Sequence, residues 1–181
     1  MAERLVGAHA PDFDMKTALG DGENFGKVSL KDYKGKWLVM FFYPLDFTFV
    51  WPTEITGFSD RFDSFKELNA EVLGISTDSI FSHKAWMNTP RDQYGLEKLN
   101  FPLASDITHQ YSKDYGVYVE DEGIATRGLF IIDPDGIVKY QVVHDLNVGR
   151  SASEVLRVLQ ALQTGGLCPL DWDEDSDLIE V

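Results

Sequence analysis

The chain of 181 residues contains one cysteine, Cys168. A single thiol forms no internal disulfide and no thiolate metal cage, which excludes cross-linked secreted scaffolds and zinc folds. Any redox pairing has to cross between chains. Basic residues are scarce: 16 Lys and Arg stand against 30 Asp and Glu, a formal charge of −14. That balance repels phosphate backbones and anionic membrane surfaces, so neither nucleic acid nor membrane is an expected partner. Long hydrophobic runs are missing as well. The longest, residues 37–45, is far too short to span a bilayer, and residues 1–11 lack the apolar core of a secretory signal, so the expectation is a soluble cytoplasmic protein.

What remains is enough for one core, since 44% of the residues are hydrophobic and 13% aromatic. No repeat or Pro/Ser-rich linker divides the chain. The expected organisation is one domain over residues 1–164, followed by residues 165–181, which carry Cys168 and an acidic tail. Residues 171–181 hold six acidic side chains and no basic ones, and they read as a mobile extension.

Residues 37–43 form a continuous apolar, aromatic-rich run closed by Pro44, the pattern of a central strand covered on both faces. Ile55, Phe58, Phe62, Phe65 and Leu68 then recur at three- and four-residue intervals behind Pro52, predicting a helix over 52–68. A buried strand over 71–76, a helix over 79–88 ended by Thr89 and Pro90, a short strand over 101–104 and a helix over 107–115 stopped by Gly116 continue the alternation. Residues 128–145 read as a hairpin turning at 133–136, and 153–163 as a last helix stopped by Gly165 and Gly166. This order predicts an α/β, thioredoxin-like fold with a mixed central sheet flanked by helices.

In such a sheet, ligands bind outside the carboxyl ends of the strands, so the loop leaving the most buried strand, residues 43–54, is the default active-site location. Other candidates carry less. His9, His83, His109 and His144 show no paired spacing with carboxylates and read as surface or capping residues, so no metal is expected. The Asp133 to Gly136 turn lacks a calcium-ligand series, and Gly20, Gly22 and Gly26 lack a dinucleotide fingerprint. Phe42, Phe47, Phe49 and Trp86 read as core and subunit packing. Arg127 alone reads as a surface cation, Glu54 alone as a helix-start carboxylate, and Cys168 alone as an inert thiol that its place between two glycines and an acidic tail keeps out of a core.

Taken together, Pro44, Thr48, Pro52, Thr53 and Glu54 resemble the signature of the peroxiredoxins, in which a Pro, three residues, a Thr, two residues and a Cys precede Pro-Thr-Glu. The cysteine position is Trp51. The resemblance extends over 41–44, 126–133 and 148–151, and the segment 165–172, with Cys168-Pro169 followed closely by Trp172, resembles the resolving-cysteine segment of the typical two-cysteine subfamily. It implies a thiol-dependent peroxidase of hydrogen peroxide and alkyl hydroperoxides, with Cys168 as the resolving thiol. A peroxidatic thiolate needs cations and a helix N-terminus to lower its pKa. The resemblance gives Arg127 and Arg150 that role, gives Thr48 and Arg127 the stabilisation of the leaving oxygen, makes Glu54 the bidentate holder of the arginines, and has Pro44 shield the pocket.

It also implies a thioredoxin-type or flavoprotein disulfide reductase as dithiol reductant, no bound cofactor, and head-to-tail dimers assembled into a ring such as a decamer. With Trp51 in the nucleophile's place the chain is expected to be inactive, and an intact Cys168 without its partner reads as a deliberate replacement. The rival reading is a non-catalytic structural or holdase-type ring. An indole at 51 is further expected to displace the first helical turn near Pro52 and open the loop.

Overall fold

The structure, a computed structural model, describes residues 4–48 and 51–180, with the side chain of Trp51 outside the description. It opens with a hairpin of β1 (Asp14–Ala18) and β2 (Phe25–Ser29), absent from the sequence expectations. Its turn is held by Asp21, whose carboxylate accepts from the amides of Glu23 and Asn24. The strand expected at 37–43 is β3 (Trp37–Phe42), which pairs in parallel with β4 (Ala70–Ser76) and antiparallel with β8 (Arg127–Ile132).

The single helix expected over 52–68 is instead two, α1 (Trp51–Asp60) and α2 (Phe62–Glu67). The break is at Arg61, whose carbonyl accepts from Ser64 and Phe65 and so starts a new helix. Phe58, Phe62 and Phe65 stay on one buried face across the break, which is why hydrophobic periodicity does not reveal it. Next comes α3 (Ile80–Met87), capped by the Ser79 hydroxyl, which accepts from Ser82 N at 3.2 Å. β5 (Leu103–Ser105) starts later than expected. The helix expected over 107–115 shrinks to α4 (Gln110–Asp114), because His109 adopts a left-handed φ of 61° and Asp106 binds the amides of Tyr111 and Ser112. A two-residue pair, β6 (Tyr118–Val119) and β7 (Ile124–Ala125), stands apart from the main sheet. The expected hairpin joins β8 to β9 (Val138–His144), and the last helix is α5 (Ala152–Thr164). Gly165, at φ 66°, provides the left-handed stop that a side chain resists.

The main sheet runs β2-β1-β5-β4-β3-β8-β9, with parallel pairs β5/β4 and β4/β3 and antiparallel pairs elsewhere. Val39, Phe41 and Tyr43 point into a core with Phe58, Phe65, Trp86 and Leu159, whereas Leu38, Met40 and Phe42 point into a second core with Phe13, Tyr115 and Phe130. β3 is therefore buried on both faces, and its carboxyl end opens where α1 begins. Among the described residues no helix is long and apolar enough to cross a membrane.

The acidic tail is docked rather than mobile. Trp172 is 5% exposed, Arg157 Nη1 donates to its carbonyl at 2.6 Å, Gln160 Nε2 donates to Glu174 at 2.8 Å, and Ile179 N donates to Leu167 O at 2.9 Å. Charge count underestimates this segment because one indole and a few hydrogen bonds to α5 anchor it while its carboxylates face solvent. Truncating a buried Trp costs about 3–5 kcal/mol in a core. Trp172→Ala is therefore expected to release residues 167–180, seen as proteolytic cleavage there about tenfold faster with cleavage elsewhere unchanged. Unchanged cleavage would show that the indole does not anchor the tail.

Candidate active site

The site is built where three distant segments meet at the end of β3. Glu54 lies in the first turn of α1, Arg127 opens β8, and Arg150 precedes α5. Their side chains are 3%, 0% and 1% exposed. Glu54 Oε2 accepts from Arg127 Nη1 at 3.0 Å and from Arg150 Nη2 at 3.2 Å, while Oε1 accepts from Arg150 Nε at 2.5 Å and from its backbone N at 2.9 Å. Arg127 Nε and Nη2 both donate to Leu146 O, and Arg150 Nη1 donates to Gly128 O. The Arg150 guanidinium also sits 5.2 Å from the centre of the Phe41 ring.

This is the arrangement expected of Glu54 as holder of two arginines. Two buried cations share the one carboxylate of Glu54 beside the N-terminus of α1, where the helix dipole favours an anion. Burial would raise the Glu54 carboxyl, but the charge and hydrogen bonds of Arg150 and the charge of Arg127 bring it below its ordinary value. Burial lowers Arg127, and Glu54 opposes that shift. Position 51, three residues before Glu54, shares its helix face. Arg127 is thus a buried charge and not a surface one.

The first turn of α1 is helical from Trp51 onward, and the expected opening of the loop by the indole turns on a side chain outside the described residues. Glu54 ties that turn to β8 and to the start of α5, an anchorage that sequence periodicity does not contain. The expectations placed on Phe49 and on the Trp51 side chain lie outside the described residues. Pro44 is buried, and Thr48 is half-buried with its hydroxyl donating to Leu45 O at 3.0 Å. Cys168 is half-buried just past α5, its Sγ 3.5 Å from Thr164 Oγ1 and 3.6 Å from Ala161 O. No contact among the described residues joins it to the Glu54 cluster. Among them, no group of three His, Cys, Asp or Glu side chains converges as a metal ion would need.

His83 is the residue that sequence reasoning misplaced. It is fully buried, with Nδ1 2.8 Å from Asp46 Oδ2 and Nε2 3.1 Å from Ala104 O, and Tyr43 OH donates to Asp46 Oδ1 at 2.9 Å. Burial, together with Asp46 and Asp78, pushes the Tyr43 hydroxyl well above its ordinary value. Sequence offered a faint signal, because Asp46 lies inside the suspect loop and His83 inside a predicted helix, but nothing there brings them together. Next to Asp46, Phe47 is half-exposed, not core, and adopts a left-handed φ of 57° with its ring 5.8 Å from that of Trp86. A bulky side chain in that region costs about 1–3 kcal/mol, so the surroundings must hold it there.

Removing one partner of a buried ion pair typically costs about 3–5 kcal/mol. Glu54→Gln is expected to lower stability at neutral pH by that order, read from urea denaturation midpoints. The folded value of Glu54 is depressed, so its contribution is complete above the ordinary value of 4.5 and is lost as pH falls through the folded value. The variant should therefore lose less stability than the parent on acidification below 4.5. Parallel pH profiles of the two proteins would contradict the assignment.

With this geometry in hand, comparison with known proteins is decisive about ancestry. The profile of the AhpC/TSA family matches residues 6–141. The chain is 64% identical over 175 residues to a Clostridium pasteurianum protein named for a peroxiredoxin in the rubredoxin operon, covering 97% of this chain and 98% of that one. It is 55% identical over 179 residues to peroxiredoxin-2 of Bos taurus (97% and 89% covered), and 54% identical over 179 residues to the human mitochondrial thioredoxin-dependent peroxide reductase (97% and 69% covered). Among solved structures, the reduced two-cysteine peroxiredoxin of Plasmodium vivax superposes with a TM-score of 0.94 at 40% identity, over 97% of this chain and 93% of that one. A Plasmodium yoelii relative that forms an artifactual octamer when modified at its N-terminus superposes with a TM-score of 0.82 at 41% identity, over 93% and 99%. The mixed sheet, the loop at the end of β3 and these matches agree, and the chain belongs to the AhpC/TSA family, the thiol peroxidases known as peroxiredoxins.

Proposed function

We propose that this chain is a two-cysteine peroxiredoxin scaffold in which Trp51 stands where the attacking thiolate belongs, so that it keeps the peroxide site without turning peroxide over. The observation that carries the reading is the Glu54 cluster, a buried carboxylate holding two guanidiniums under the first turn of α1. Such a cluster costs desolvation energy that a purely structural contact does not require, and it suits a site where negative charge must form.

With a thiol at 51, the chemistry would run as follows. The two guanidiniums and the helix N-terminus favour the thiolate, which attacks one peroxide oxygen. An S–O bond forms as the O–O bond breaks, and the leaving oxygen takes a proton to become water or alcohol. Sulfur is oxidised to sulfenic acid and the peroxide is reduced. Thr48 and Arg127 stabilise the leaving oxygen, and Pro44 walls the pocket. Cys168 of a partner subunit then condenses with the sulfenic acid, releasing water, and an external dithiol of the thioredoxin or flavoprotein reductase kind reopens the disulfide by exchange. An indole has no ionisable thiol, so in this chain the first step is missing and Cys168 has nothing to resolve.

A ring of dimers, such as a decamer, fits the surface. β2 and β9 end the sheet with open edges, and Phe25, Phe81 and Ile107 are exposed at 41%, 69% and 61%. The name of the human relative supports a thioredoxin-type reductant.

Stopped-flow peroxide consumption with a dithiol reductant tests the reading. The chain as it stands should show no turnover above a Cys168→Ser control, and Trp51→Cys should gain thiol-dependent consumption. Appreciable turnover by the unchanged chain, or an inert Trp51→Cys variant with the ring intact by light scattering, would overturn it; the second outcome favours a non-catalytic ring.

A further inference from the structure

We propose that Asp46, bound to His83 and Tyr43, positions the loop that carries Pro44 and Thr48 against the first turn of α1. Asp46 and His83 are then positioning residues of the peroxidase reaction, although neither touches the reacting atoms. The proposal rests on position 51 being the attacking position.

Between Pro44 and Thr48, Asp46 is the one buried residue; Leu45 and Phe47 are exposed. Its anchors reach four parts of the fold. Asp46 N donates to Asp78 Oδ2 at 2.8 Å, on the segment after β4, and Tyr43 OH donates to its carboxylate from the end of β3. His83 on α3 binds the same carboxylate through Nδ1 and reaches the Ala104 carbonyl of β5 through Nε2. Thr48, by contrast, donates only within the loop, to Leu45 O. With Phe47 in a left-handed conformation, a shift at Asp46 turns the peptide leading into Thr48 and moves that side chain.

The binding also fixes a proton count. Ala104 O is an acceptor only, so Nε2 carries a hydrogen, and the 2.8 Å approach of Nδ1 to Asp46 Oδ2 requires another between them. The titratable groups facing this pair are Tyr43, which donates to Asp46, and Asp78, a carboxyl that its burial and the nearby Asp46 raise above its ordinary value. Losing the contact between His83 and Asp46 leaves a buried carboxylate short of a partner, and the cheapest relief is movement of the loop. The Glu54 cluster supplies charge at position 51; the Asp46–His83 pair sets where the loop's own groups stand.

Two arms test this with Asp46→Asn and His83→Gln. In the chain as it stands, hydrogen exchange of peptides spanning residues 43–48 should quicken about tenfold while exchange in β3 and β4 stays unchanged. On the Trp51→Cys background, the rate with hydrogen peroxide should fall by about tenfold or more, whereas alkylation of the thiol at 51 by iodoacetamide stays within about threefold, because the thiolate forms but the loop groups are misplaced. Unchanged exchange at 43–48, exchange that quickens equally in β3 and β4, or equal losses in peroxide and alkylation rates would overturn the proposal. An inert Trp51→Cys parent overturns the reading of position 51 and with it the catalytic half of the proposal, while the exchange arm still decides whether Asp46 fixes the loop.

Discussion

One carboxylate holds the working end of this protein together. Glu54 receives four hydrogen bonds from two arginines that enter from β8 and from the start of α5. The segments it joins are 73 and 96 residues away along the chain. Without it, two buried guanidiniums would lose the carboxylate that both of them bind, a state the interior tolerates poorly. The first turn of α1, the opening residue of β8 and the approach to α5 consequently have one relative arrangement. The same bonds hold two guanidiniums under that turn in a protein whose formal charge is −14.

The cluster accounts for the persistence of the site around a tryptophan. A nucleophile contributes little to the scaffold that activates it, since the arginines are held by Glu54, Leu146 and Gly128 and need no thiolate to keep them in place. The turn beginning at Trp51 is wound as a helix for the same reason. On the proposed reading, activation of a nucleophile and stability of the fold are separable: the first would depend on the side chain at 51, and the second depends on a carboxylate three residues further on.

Much of the fold is legible in the sequence because burial leaves a periodic trace. The strand at 37–43 and the α5 helix follow from apolar runs and a left-handed glycine stop, and the loop after β3 follows from the general place of ligand sites in α/β sheets. The residues in that loop acquire roles only through their resemblance to a family, since Glu54 or Arg127 taken singly is an ordinary charge. Three features leave no periodic trace. The break at Arg61 preserves the phenylalanine stripe, the pairing of Asp46 with His83 joins residues 37 apart, and the tail is docked through a single Trp172 amid carboxylates that composition reads as solvated. The last two depend on contacts between segments that local pattern cannot contain.

The central claim is that the Glu54 cluster is built to hold negative charge at position 51. The pKa of the thiol in a Trp51→Cys variant, measured from the pH dependence of its alkylation with Cys168 replaced by serine, tests it most directly. The account predicts a value well below the ordinary cysteine value of about 8.5, and one that rises toward it when Arg150 is also replaced by methionine. A thiol at 51 that titrates at or above the ordinary value would contradict it.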